Sequence, residues 1–491
     1  MVYTFKSACR KKTAGGKEHN MKTRRLLALL FACIALVFAS CNNTDDGKGN
    51  TDLNETAVDD YTGDLHIEDY NQYNFRMLVR PAYMADQYVE DGSSDIVENA
   101  VYKRNKTVEE MFNITISANE SSTNGFETDA LNAILAGDDA YDMILCHNGA
   151  ALSYATQGAA VNIHDVETIH TDKPWWTKDI VEGCTLGGNL YVLDGDISTH
   201  RLRYAMCLFF NKDIFDELGL EYPYQLVDDG EWTFDEFASL VKQGASDLDG
   251  DGAMTIEKDR FGFLTNHWQM PIAVIYTGGQ RIYTKNTEGI LELTLNSMKT
   301  VDIYDSFFEL CDTESTWLHN NEVPNGENAF KDGRALFTDQ TLGSAISMRT
   351  MDDNFGILPY PKYEYEDVYA TVTNGFANLM VIPVTVEDEE RTGAIIEALC
   401  AIGSREVIPA FYEQSLKTKF TRDNESEGMI DIIRASLVYD VGYAKGAFGY
   451  MGNVLANKAS HDFSSVYAAS ESSALNSLKN FNEAYADYKA E

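Results

Sequence analysis

Asp247-Leu248-Asp249-Gly250-Asp251-Gly252 sets a carboxylate at every second position ahead of a glycine that permits a sharp turn. Acids at the first, third and fifth positions of such a loop can aim their oxygens at one hard cation, with the Ala253 carbonyl at the seventh. The twelfth position, where a calcium loop closes on a bidentate glutamate, is Lys258. Glu257 or Asp259 would have to close the shell one residue early or late. The pattern predicts a structural calcium site built from Asp247, Asp249, Asp251, Ala253, Glu257 and Asp259, against the plainer alternative of a solvated acidic turn.

Catalytic spacings are missing. The sequence has no G-x-S-x-G, H-E-x-x-H, G-x-x-x-x-G-K-[ST] or G-x-G-x-x-G, so no catalytic cofactor is expected. A secreted glycosidase needs only two facing carboxylates. In a chain with 77 Asp and Glu that requirement carries almost no information, and the chain is read as a non-enzyme.

Ligand chemistry has better candidates. In open α/β sheets, ligands sit beyond the carboxyl ends of strands, which selects Arg80, His147, Asn148 and Asn374. His147 reads equally well as a structural histidine. Aromatic faces can cover the C–H surfaces of a sugar ring, which adds Trp175, Trp176 and Trp268.

The elements that would position these residues alternate. Phe75–Arg80 reads as a strand, 96–112 as a helix, 127–136 as a short helix, and 141–146 as a buried strand running into His147. A second unit opens with the strand 204–210, followed by a helix that Thr233 and Glu236 would cap. Trp232 and Phe234 read as packing residues. Asn378–Val384 is a strand, helices are expected over 391–402 and 405–416, and the stretch from Asn453 is helical in character. Strand and helix in alternation indicate a mainly parallel α/β sheet.

Composition bounds the rest. The 491 residues exceed what one core usually serves, and 44% hydrophobic content supports real cores. A formal charge of −38 excludes nucleic acid as a partner. Lys22, Arg24 and Arg25 precede an apolar run over 26–39, too short for the roughly 20 residues of a spanning helix. This is the layout of a secretion signal, with Met21 a plausible start. Phe38-Ala39-Ser40-Cys41 resembles a bacterial lipobox, with Phe38 where leucine is usual. Residues 1–40 are therefore expected to be removed, Cys41 to carry lipid on the outer face of the cell membrane, and 41–69 to serve as a flexible tether. The mature chain would carry −45. Cys146, Cys184, Cys207, Cys311 and Cys400 show no framework spacing, so buried thiols are expected and no disulfide is assigned.

Four segments carry a family resemblance. Phe210-Asn211-Lys212-Asp213-Ile214-Phe215 through Gly219-Leu220, Trp232-Thr233-Phe234-Asp235-Glu236-Phe237, Asn328 to Phe337, and Phe355 to Pro361 occur in the order found in family 1 extracellular solute-binding proteins. These are the substrate-capturing lipoproteins of ABC importers, many of them for sugars. Lys173-Pro174-Trp175-Trp176 and Gly195-Asp196-Ile197 resemble a clostridial-type subgroup. The resemblance implies an α/β, two-lobed periplasmic-binding-protein-like fold, each lobe a mainly parallel sheet flanked by helices, joined by hinge strands. It places lobe 1 at 70–200 plus 366–428 and lobe 2 at 201–365 plus 429–491. Crossings are expected near 196–205, 363–373 and 423–436. It implies a monomer that holds a sugar or oligosaccharide between the lobes for ABC permease subunits. A peptide or other small metabolite, or a surface glycan-binding module without a permease, remains the alternative.

Overall fold

The structure is a computed structural model that describes residues 65–120, 125–319, 326–375, 377–412, 425–452 and 461–487. The expected leader with Met21, the expected lipidation residue Cys41 and the expected tether up to residue 64 lie outside the described residues. Among the described residues, no helix is long and apolar enough to cross a membrane.

Along the chain the strands are β1 (Tyr73–Val79), β2 (Ile114–Glu120), β3 (Met143–His147), β4 (Met206–Asn211), β5 (Phe261–Asn266), β6 (Tyr283–Lys285), β7 (Leu291–Leu293), β8 (Thr316–His319), β9 (Ala335–Thr341), β10 (Phe355–Leu358), β11 (Thr371–Val372), β12 (Asn378–Val381) and β13 (Leu437–Val438). One sheet has the order β12-β3-β1-β2, with β1 parallel to both β2 and β3 and β12 antiparallel to β3. The other has the order β10-β4-β9-β5-β8. Helices flank both, which gives the two-lobed α/β fold. The second sheet is mixed rather than mainly parallel. β5 runs parallel to β8 and β9, but β4 pairs antiparallel with both β9 and β10. Every residue of β4 and β5 is buried, and such strands read as continuous apolar runs whatever their direction, so the sequence could not distinguish the two senses.

Local signals explain the helices. The carboxylate of Asp95 accepts the N–H groups of Val97 at 2.9 Å and Glu98 at 3.1 Å, which starts the helix Ile96–Phe112. Asn113, left-handed at φ 51°, ends it. Thr233 caps the helix Phe234–Gly244 by accepting from the Glu236 N–H. Trp232 is fully buried and donates its indole N–H to the Pro359 carbonyl at 3.0 Å.

Glu389–Tyr412 is one 24-residue helix, not two. Gly403 sits mid-helix, where a Cβ would fall 2.0 Å from the Asp196 carbonyl oxygen. The glycine marks close packing against the chain passing between the sheets and not a helix end. The five described cysteines are all free and buried.

The passage 194–205 is held from one side by Arg104. That guanidinium is fully buried and donates to the carbonyl of Gln87 at 2.7 Å, to Asn105 at 2.7 Å and to the carbonyl of Ile197. A second passage contains β11, which pairs in parallel with β13.

Candidate binding site

Parallel strands of both sheets end at one cavity of about 630 Å³. His147, the last residue of β3, comes from the first sheet. Asn266 at the end of β5, Gln340 and Thr341 at the end of β9, and Met206 at the start of β4 come from the second. Asn374 and Gly375, just after β11, line it too, with Trp268, Gln269, Tyr443 and Tyr450. This is the strand-end position at which ligands settle in open α/β sheets.

Short-range hydrogen bonds fix these groups. The Asn266 side-chain oxygen accepts the N–H groups of Trp268 at 2.8 Å and Gln269 at 3.1 Å, and its amide meets the Gln269 side chain. That Asx-type turn aims Trp268 and Gln269 at the cavity. The Asn374 N–H donates to the Tyr204 carbonyl at 3.0 Å, and its own carbonyl accepts from Ala377 at 3.1 Å.

The described lining contains amides, hydroxyls, aromatic rings and one methionine, and among the described lining residues His147 is the only titratable group besides the two tyrosines. Burial, then the nearby Arg80 charge, lower the His147 pKa to about 4. Glu127 lies 3.7 Å from its Nδ1, but burial and Arg80 outweigh that carboxylate and the ring is neutral at pH 7. Arg80 lies over the Tyr83 ring at 5.5 Å and is not among the lining residues; it acts on the site through the field it exerts on His147.

Of the residues the sequence singled out, the cavity unites His147, Trp268 and Asn374. Asn148 opens the helix Asn148–Thr156 and is buried beside His147 without lining the cavity. Trp175 and Trp176 are buried, at 3% and 4% exposed, and neither lines this cavity, although Trp176 borders a smaller one. The Trp176 indole N–H donates to Glu397 at 2.9 Å, a carboxyl that burial pushes up to about 7. Gln340 and Thr341 were missed although the strand-end rule that found His147 applies equally to them. Tyr443 and Tyr450 lie in a C-terminal segment that offers no such signal.

A smaller cavity of about 340 Å³ is lined by Trp176, Asp194 and Arg201 among others. Its charges are paired within the protein, Arg201 with Asp179 and, at 3.7 Å, with Asp194, and Arg434 with Asp196 at 3.5 Å.

In the acidic loop, Asp247, Asp249 and Asp259 bring ligand oxygens within 4.8 Å of one another and could hold a cation. Asp251 stands outside that group. Its carboxylate accepts the Ala253 N–H at 2.9 Å and meets the Lys258 ammonium at 3.1 Å. Glu257 is outside the group as well. Asp259, fully buried, also accepts the N–H groups of Leu248 and Thr255, which bend the loop back on itself.

The family model described as bacterial extracellular solute-binding protein matches residues 95–374, more than half of the chain. The chain belongs to this family. A search of the curated proteins found no match. Solved structures share the fold of this solute-binding protein. An ABC substrate-binding protein of Listeria monocytogenes in complex with cycloalternan is 15% identical, with TM-score 0.52 over 84% of this chain and 98% of that one. The maltose/maltodextrin-binding domain MalE of Bdellovibrio bacteriovorus, bound to maltotriose, is 14% identical, with TM-score 0.53 over 83% and 100%. The GacH receptor of Streptomyces glaucescens, solved unliganded and with acarbose, is 13% identical, with TM-score 0.54 over 85% and 100%.

The His147 shift gives a pH prediction. Its folded pKa of about 4 is below the ~6.5 of an unfolded histidine, so protons bind the unfolded chain first as pH falls. The stability that goes with the neutral ring is present above about pH 6.5 and lost as pH falls through 4. Chemical denaturation of wild type and His147→Gln should show the variant gaining relative stability between pH 7 and pH 4.5. A pH-independent difference would mean that the folded protein protonates His147 as freely as the unfolded chain does.

Proposed function

We propose that this protein captures a neutral sugar or short oligosaccharide in the larger cavity and presents it to the permease of an ABC importer. The observation that carries this reading is the lining itself. Trp268, Tyr443 and Tyr450 offer aromatic faces, and Gln269, Gln340, Thr341 and Asn374 offer donors and acceptors, with no carboxylate or ammonium among the described lining residues. Rings of that kind cover sugar C–H surfaces, and amides and hydroxyls pair with sugar hydroxyls. The strongly acidic chain adds a field that disfavours polyanions. Structural neighbours solved with cycloalternan and maltotriose support the same ligand class. Binding without turnover suits a family of solute-binding proteins.

A thermal-shift panel of neutral and acidic sugars and short peptides tests the ligand class. A neutral sugar should stabilise the fold, by about 2.7 kcal/mol at a hundredfold excess over Kd. Trp268→Ala should weaken that sugar by about tenfold through lost ring packing. Stabilisation by peptides or acidic sugars alone would contradict the reading.

Delivery to a permease at the cell surface would use the lipid on Cys41, with the protein acting as a monomer. Cys41→Ser should move the protein from the membrane fraction to the soluble fraction. Undiminished membrane association of the variant would remove the anchor from the proposal.

A further inference from the structure

The segment 446–452 has an unusual backbone. Gly446, Phe448, Gly449, Tyr450 and Met451 all have positive φ, between 53° and 70°. Three of these are non-glycine residues, for which that region is disfavoured and persists only where surrounding contacts over-determine it. The contacts are present. Phe448 stacks on Tyr467 at 5.3 Å, and Met451 is completely buried. Upstream, the Asp440 carboxylate accepts the N–H groups of Ile282 at 2.6 Å and Gly442 at 2.7 Å. Lys445 donates to Ser153, in the helix that follows β3, at 3.3 Å.

The strained segment holds two aromatic rings by contact. The Tyr450 ring lies so close over Gly446 that a Cβ there would meet Cζ at 2.9 Å and the phenol oxygen at 3.2 Å. Tyr443 meets the same ring edge-on at 5.8 Å. At the other end, a Cβ on Gly452 would meet Cζ3 and Cε3 of Trp268 at 2.6 and 2.7 Å. Tyr450 and Trp268 are 42% and 43% exposed, high for large aromatic side chains, and both line the same cavity.

We propose that residues 446–452 form a strap that sets the spacing and tilt of Tyr450 against Trp268. Gly446 and Gly452 are then positioning residues that determine which ligand ring the cavity accepts. This rests on the sugar-site reading, because two exposed rings over one cavity need an apolar ring face to cover.

The test is a pair of double-mutant cycles in the full chain, titrated with maltotriose by calorimetry. Gly452→Ala should weaken binding at least about fivefold, yet change it less than about twofold in a Trp268→Phe background. Phenylalanine has no atom at Cζ3 for the new methyl to displace. Gly446→Ala adds backbone strain of its own at φ 70°, so its loss should shrink in a Tyr450→Ala background without vanishing. Equal losses in both backgrounds would make the glycines structural only and overturn the strap. If maltotriose does not bind wild type, acrylamide quenching of Trp268 decides instead, measured as the difference between each protein and its Trp268→Phe counterpart. Gly452→Ala should raise that quenching by displacing the indole, and unchanged quenching would overturn the strap. A failure of every panel sugar together with raised quenching would remove the sugar reading and leave the strap standing.

Discussion

A buried guanidinium with few alternatives holds this molecule together. Arg104 has no access to water, so its N–H groups must be satisfied inside, by the carbonyls of Gln87 and Ile197 and by Asn105. Burial lowers its pKa to about 10, still far above neutrality, so the charge remains and the carbonyls cannot be released cheaply. Ile197 belongs to the chain passing from one sheet to the other. Gly403 presses the long helix Glu389–Tyr412 against the same passage at Asp196. With that strand of backbone fixed, the carboxyl ends of β3, β5 and β9 open onto one shared space.

That space differs from its surroundings in charge. The chain carries 77 acidic residues, yet the cavity is lined by amides, aromatic rings and a histidine kept neutral by burial and by Arg80. The ion pairs of Arg201 and Arg434 lie in the smaller cavity instead. Neutral donors and acceptors next to exposed indole and phenol rings suit a ligand with many hydroxyls and no charge.

The sequence made local structure legible where one residue decides it. Thr233 starts its helix as its type predicts, and the apolar run before His147 is the buried strand it reads as. His147, Asn374 and Trp268 reach the cavity because a strand end or an Asx turn fixes each of them locally. Trp176 faces the buried carboxyl of Glu397, and an indole so placed looks the same in sequence as one facing a ligand. Tyr450 was out of reach because its place depends on consecutive left-handed residues far along the chain. The antiparallel direction of β4 was illegible for a related reason: pairing sense is a property of the sheet and leaves no mark on a fully buried strand.

The central claim is that a neutral sugar sits between two lobes and is held by contacts from both. Small-angle scattering, with and without the neutral sugar that gives the largest thermal shift, tests it most directly. Contacts from both sheets should bias the closed arrangement, so the radius of gyration should fall on saturation and the sugar should be recovered unchanged. Saturating binding with an unaltered scattering curve, or recovery of a chemically modified sugar, would contradict the account.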